Sequence, residues 1–463
     1  MSENFRKEKD VLGEINVPST VYWGINTQRA IQNFQISKKR FPEVFIYSLA
    51  EVKKACLLTN LELNLIDKDK ADALLKAMKE ILEEQKFYDQ FPIDLYQTGS
   101  GTQTNMNMNE VLANRANEIM GHPIGKKQPV HPNDHVNKGQ SSNDVIPTTM
   151  HLSVLHLLNN KLFPAIKNLI ESLNQKIADF RGIIKVGRTH LQDAVPIPLS
   201  LEFEVYRSQI ETNEKRLQHV FDELCYIPLG GTALGTGINA HKDFAEIVVK
   251  KLADISKFSI KLNPVKAEGI ASHNTLVNVS AGLRQLALSL MKMANDIRWM
   301  GSGPRAGLSE LILPQNEPGS SIMPGKINPT QSEALIQVCI QVIGNDSIVS
   351  LSESYGSILD LNVCKPVLIY NLLDSIEILS NGIHSFNNNC LLDLKANEIE
   401  INSQLEKLIM IVTNLNQYIG YDKCSEIAQK AFKEGKTVKE VIMEMGLEFE
   451  EDLDKLLDPK KMV

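Results

Sequence analysis

A chain of 463 residues is long enough for two or three domains. Its 43% hydrophobic and 23% charged content is that of an ordinary globular protein, and a net charge of −7 argues against a nucleic-acid partner. Six separate cysteines with no CxxC pair (Cys56, Cys225, Cys339, Cys364, Cys390, Cys424) exclude a zinc or iron–sulfur framework and fit a reducing compartment. The first ten residues lack the apolar core of a signal peptide, and no apolar run is long enough to span a membrane, so a cytoplasmic protein is expected.

In chain order, Gly13 to Pro18 reads as a short extended segment ended by proline. Apolar spacing predicts helices from Pro42 to about Leu65 and from Asp67 to Gln85. The glycine-rich run Thr98 to Asn105 precedes a helical pattern from Met106 to Met120. Such a run can present hydroxyls and N–H groups to an anion at a helix N-terminus. His131 and His135 stand four apart, but Pro132 breaks the helix that would align them, so no metal is expected. Ser141, Ser142 and Asn143 form a second cluster of small donors before a helix running to Leu173, with a kink expected near Pro164.

Gly187 to Ala194 is predicted as a loop between helices, carrying His190 beside Thr189 and Arg188. A helix is expected over Glu202 to Leu224. The glycine-rich turn Leu229 to Gly237 lacks the βαβ surroundings of a dinucleotide site. Leu276, Val279, Leu283, Leu286, Leu290, Met293 and Ile297 alternate steps of three and four, a seam of bundle type. Then comes Gly319-Ser-Ser-Ile-Met-Pro-Gly-Lys-Ile-Asn328, whose glycines and prolines forbid helix interior. Its hydroxyls, lysine, amide and bare N–H groups suit a carboxylate. It is no P-loop: the spacing before Gly325-Lys326 is one residue too long and no strand precedes it. Helical spacing resumes at Leu335, Val338 and Val342 and again over Val367 to Ile383. Ile401, Leu405, Leu408 and Val412 mark one tail helix. Thr437 with Glu440 forms a capping box, Gly446 stops that helix, and Glu448 to Lys461 reads as a solvated face. The class is mainly α.

With these clusters in place, the chain resembles the fumarase/aspartase superfamily, whose Gly-Ser-Ser-x-Met-Pro-x-Lys-x-Asn motif is matched at every fixed position by Gly319 to Asn328. The match extends from Tyr22-Trp23-Gly24 to the tail. Gly99 to Gln103, Ser302 to Arg305, Met323 to Gln331 and Ile419 to Lys423 make it most similar to class II fumarase, whereas Gln337 to Asp346 is as similar to aspartase. Departures are Tyr96 for a usual Trp, Gly139 for a common Ser, and Ser200-Leu201 for a usual Gly-Gln.

The resemblance implies three mostly helical domains, 1–138, 139–397 and 398–463, the central one a long bundle that assembles into a tetrameric helical core. It implies reversible hydration of fumarate to L-malate with no cofactor and no metal, in a homotetramer whose active sites each draw on three subunits, with no membrane partner. Ser320 would be the base that takes the carbon-bound proton, His190 would handle water on the opposite face, and Glu333 would polarise that imidazole. Ser100, Gly101, Thr102, Ser141, Ser142, Asn143, Thr189, Ser321, Lys326, Ile327 and Asn328 would bind substrate and stabilise the aci-carboxylate. His131, Pro132, Asn133 and Asp134 match a second anion site of the family. The alternative within the superfamily is aspartate ammonia-lyase, and outside it a structural relative that has lost activity.

Overall fold

The computed structural model describes residues 5–463; the first four residues of the stretch read as lacking a signal peptide lie outside them. Among the described residues helices dominate, and strands occur only as five short pairs. The chain divides into two compact units, one of segments up to Pro164, Lys215–Gln285 and Ile340–Leu379, the other of Ala165–Glu214, Leu286–Cys339 and Ser380–Val463. Four of the divisions fall inside long helices: Leu199–Leu224, Asn274–Met300, Thr330–Gly356 and Lys365–Phe386. All seven seam residues of Asn274–Met300 are fully buried, as their heptad-like spacing predicts.

The first unit begins with an antiparallel hairpin, Phe5–Asp10 against Gly13–Pro18. Its helices Glu43–Glu62, Lys68–Leu82, Thr102–Ile119, Ser142–Leu157 and Phe244–Ser256 pack around Phe45, Leu49, Leu74, Met78, Leu112 and Leu152. Helix Thr102–Ile119 is unusual because polar residues are buried along it. Asn107 donates to Gln90 O, Asn114 to Tyr22 O, and Asn117 both donates to and accepts from the Val130 backbone. Loops that would carry unpaired backbone groups are thereby tied to a rigid element. Glu110 does the same for a helix end, accepting from the N–H groups of Gly24, Asn26 and Thr27 at the start of Ile25–Asn33. Burial raises its pKa despite those donors.

Pro147 lies inside Ser142–Leu157, and a π turn over Leu158–Leu162 follows just before Pro164, where the sequence predicts a kink.

In the second unit, the segment expected as a loop between helices is a β-hairpin. Ile184–Thr189 pairs with Gln192–Pro198, with a bulge between Val186 and Arg188. The strands escaped the sequence reading because prolines and charges interrupt their alternation and the turn lacks the usual Asn-Gly. The tail also differs. The expected single helix is Glu398–Glu406 followed by a 3-10 turn over Ile409–Leu415, which lets Ile411, Val412 and Leu415 face Ile427, Val441 and Ile442 in a small core. The Thr437 capping box is present, and Gly446 takes φ +66° beyond the helix end. Leu456 of the charged tail reaches this core, so that stretch is not purely solvated.

From the sequence, no apolar run of membrane-spanning length is expected. Helix Thr330–Gly356 has no unbroken apolar run of that length, yet by length and composition it is long and apolar enough, with mean hydropathy 1.5 over its most apolar stretch. Only a third of that stretch is buried. Leu335, Cys339, Val342 and Val349 face inward, while Ile340, Ile348, Leu351 and Tyr355 are exposed.

His151 is buried in Ser142–Leu157 with Nδ1 3.0 Å from Leu224 O, and burial pushes its pKa down from 6.5 to about 4. The unfolded chain therefore binds this proton at higher pH than the folded one. The stability it contributes is full above pH 6.5 and is lost as pH falls through 4, roughly 3 kcal/mol for this group. Denaturant midpoints between pH 7 and pH 4 should fall less steeply for His151→Gln, which keeps a donor to Leu224 O but cannot titrate; parallel curves would remove His151 as a cause.

Candidate functional site

In the first unit the donor clusters around Ser100 and Ser142 meet. Gly101, at φ +75°, ends a tight turn and lets Thr102 open helix Thr102–Ile119, four residues earlier than the apolar spacing suggests. Gly99 has no room for a side chain, since a Cβ would lie 1.5 Å from Val363 O; its own carbonyl accepts from Lys365 N at 3.0 Å. Ser141 caps helix Ser142–Leu157 in a reciprocal box with Asp144. Thr102 Oγ1 lies 2.8 Å from Ser100 Oγ and 2.9 Å from Ser142 Oγ. Two helix N-termini thus converge on one chain of hydroxyls. Their free N–H groups and dipoles favour an anion there.

Asp144 stabilises this corner from behind. Fully buried, it accepts from Ser141 N at 3.0 Å, Gly230 N at 3.0 Å and Thr232 N at 2.8 Å, and burial pushes its pKa up to about 6. Asn143 Nδ2 donates to Ala233 O at 2.9 Å. The glycine-rich turn 229–237 is therefore a buttress of the helix start, not a nucleotide loop.

The proposed second anion site is also in this unit. His131 caps a π turn, Pro132–Val136, accepting from Asn133 N and Asp134 N at 3.2 Å. It lines a cavity of about 500 Å³ with Arg29, Gln103, Lys127 and Asn133. Arg29 is already engaged by both oxygens of Asp10 at 2.8 Å.

In the second unit, His190 and Leu191 form the two-residue turn of the hairpin, both left-handed at φ +57° and +60°. Neither is the Asn or Gly that tolerates this conformation, and such strain is characteristic of functional turns. Thr189 and His190 are exposed. The strand below is locked: Arg188 donates to Glu310 at 2.5 Å and to Gln404 at 2.9 Å, and Lys185 Nζ lies 3.3 Å from the fully buried Glu310.

The loop 319–328 is closed on itself. Gly319 N donates to Lys326 O at 2.9 Å, and Asn328 Nδ2 donates to Gly319 O at 2.5 Å. Ser320 Oγ accepts two backbone N–H bonds, from Ile322 at 3.2 Å and Met323 at 3.0 Å. Two fixed donors on one hydroxyl oxygen favour negative charge on it. Ser321, Lys326 and Ile327 are exposed, and Glu333 lies in the first turn of Thr330–Gly356. Among the described residues, no hydrogen bond or ion pair joins the side chains of His190, Lys326 or Glu333 to any other group.

The structure therefore unites Ser100, Thr102, Ser141, Ser142 and Asn143 in one cradle and Ser320 with Asn328 in one loop. Asp144, Glu310 and Arg188 were missed as positioning groups. For Asp144 a signal existed in the Ser-x-x-Asp spacing of a capping box; for Glu310, among loop residues, there was none.

The family model described as Lyase matches residues 13–344, and that described as Fumarase C C-terminus matches residues 411–463. The class II fumarate hydratase of Nitrosomonas europaea is 46% identical over 460 residues, 99% of each chain. That of Rickettsia bellii is 49% identical over 460 residues, again 99% of each. The crystal structure of recombinant class II fumarase from Schistosoma mansoni superposes with TM-score 0.95 at 39% identity, covering 99% of both chains.

Removing Glu310 leaves Arg188 and Lys185 without their buried counter-charge. Glu310→Ala should lower unfolding stability by roughly 3–5 kcal/mol, and Glu310→Gln, which keeps an acceptor, by less. Equal denaturant midpoints for Glu310→Ala and the unaltered chain would rule out this network as the hairpin's anchor.

Proposed function

Because this chain belongs to the class II fumarate hydratase family, we infer that it catalyses the reversible hydration of fumarate to L-malate. The observation that carries the chemistry is the pair of N–H bonds onto Ser320 Oγ. A serine hydroxyl is a poor base unless its alkoxide is stabilised. Two backbone dipoles supply that stabilisation without reorganising at the moment of reaction.

In the malate-to-fumarate direction, Ser320 takes the proton from the carbon beside one carboxylate. That carboxylate becomes a dianionic aci-carboxylate, which Lys326, Asn328 and the Ser321 hydroxyl stabilise. The hydroxyls of Ser100, Thr102, Ser141, Ser142 and Thr189, with Gly101, Asn143 and Ile327, hold the dicarboxylate in place. The N-termini of Thr102–Ile119 and Ser142–Leu157 favour its charge. His190, from the opposite face, protonates the departing hydroxide and in reverse activates water, with Glu333 raising its basicity. His131 to Asp134 bind a second anion without joining the chemistry.

The unpartnered side chains of His190, Lys326 and Glu333 within one chain support a site completed by other copies. So does the exposed apolar face of Thr330–Gly356. The reading is a homotetramer with each site drawn from three subunits, working in the cytoplasm, where the six free cysteines stay reduced.

Loss of fumarate absorbance by the purified protein, without ammonium and in the presence of a chelator, is the expected result. Loss only with ammonium would move the protein to aspartate ammonia-lyase. Ser320→Ala should lower kcat by about 10²–10⁴-fold while succinate binding persists. An unaltered kcat would exclude Ser320 as the base.

A further inference from the structure

Behind the Ser141–Asn143 cradle lies a lysine that the chemistry above does not use. Lys53 stands in the middle of helix Glu43–Glu62 and is fully buried. Among the described residues no carboxylate lies within ion-pair distance of it. Its ammonium donates instead to two side-chain amides, Asn137 Oδ1 at 3.0 Å and Gln140 Oε1 at 2.8 Å. Burial pushes its pKa down to about 7, with Cys56 and Asp144 as the charged or titratable neighbours. A buried ammonium held only by neutral amides is costly, and an apolar side chain of the same length would fill the space without that cost.

The two amides flank the turn that leads into the cradle. Asn137 Oδ1 also accepts from Asn105 at 3.2 Å and Asn109 at 3.1 Å, both on helix Thr102–Ile119. Asn137 Nδ2 donates to Gln140 O at 3.2 Å, and Gln140 Nε2 donates to Val136 O at 2.9 Å. Asn60, two turns beyond Lys53, donates to Lys138 O at 3.0 Å. Gly139 takes φ +73°, with a Cβ position only 3.2 Å from the Phe244 ring. The backbone of 137–140 is thus pinned from helix Glu43–Glu62 on one side and helix Thr102–Ile119 on the other. Gln140 is bonded covalently to Ser141, the cap of the helix that carries Ser142 and Asn143.

We propose that Lys53 is a positioning residue for dicarboxylate binding: through Asn137 and Gln140 it holds Ser141–Asn143 in register with Thr102, so that hydroxyls from two helices meet one carboxylate. The proposal rests on the reading of that cradle as the substrate site. The one amino group of Lys53 donates to both amides at once.

The test uses the intact enzyme and the variants Lys53→Met, Gln140→Leu and their double variant. Fumarate KM, kcat, calorimetric binding of succinate and the melting temperature are measured for each. Lys53→Met should raise KM and weaken succinate binding about tenfold or more, with kcat within about threefold and no matching fall in melting temperature. Gln140→Leu should raise KM likewise, with a lower melting temperature because the buried ammonium loses one of its two acceptors, and the KM of the double variant should be no worse than that of the more affected single one, because one linkage is broken either way. Should Lys53→Met fail to fold, Gln140→Leu alone carries the test. An unchanged KM in folded variants overturns the proposal, as does a loss confined to kcat or a fully additive double variant. Fumarate turnover by the unaltered enzyme tests the reading of the cradle separately: turnover with an indifferent Lys53→Met sinks the proposal and leaves that reading standing.

Discussion

The contact between Thr102 Oγ1 and Ser142 Oγ, 2.9 Å apart, is the constraint on which the first unit is built. These are the opening residues of two helices, and their meeting brings two sets of free N–H groups to one point. Positive ends of helices repel one another unless something negative or strongly polar lies between them. Asp144 offsets part of this from behind, and hydroxyls fill the front. Much of the surrounding architecture serves this arrangement: the close approach of Gly99 to Val363, the left-handed Gly101, and the turn at Gly230 bonded to Asp144.

Holding helix ends together in this way places polar groups where water cannot reach them. The buried asparagines of Thr102–Ile119, Glu110 beneath the Ile25–Asn33 start, and Lys53 behind the 137–140 turn all answer backbone or amide groups that would otherwise be unpaired. Each is costly alone and stabilising in company, because breaking one partner leaves another unsatisfied in a low dielectric. Such networks give one arrangement rather than several, which a site with fixed donors requires.

The helices and the donor clusters were legible because their signals are local. The seam of Asn274–Met300 follows from spacing alone, and all its members are buried. The glycine and hydroxyl runs at Gly99, Ser141 and Gly319 announce themselves by composition. The His190 hairpin did not, because its strands carry Pro196, Pro198 and charged residues and its turn uses His and Leu where Asn-Gly is usual. Lys53 was illegible for a different reason: nothing distinguishes it from Lys54 beside it, and only the packing of three helices decides which is buried. Glu310 is likewise one acid among many until Arg188 and Lys185 reach it. The apolar face of Thr330–Gly356 was hidden because it does not form an unbroken run.

The second unit obeys a different logic from the first. The groups proposed to react there are not assembled but presented. His190 sits on a strained turn above a buried charge network, and Ser320 sits on a loop whose ends are tied by Gly319 and Asn328. Strain in a turn of this kind persists only where the surrounding structure over-determines it. The Arg188–Glu310–Lys185 cluster, anchored further by Gln404, supplies that determination from below, so the imidazole can stay exposed and unpaired without the hairpin relaxing. On the shared-site reading this is the arrangement a chain needs if it is to lend a histidine to another copy: the fold must hold the group rigidly while leaving all its hydrogen-bonding capacity unspent. On that same reading Ser320 fits the logic too, since its oxygen already accepts two N–H bonds from its own loop.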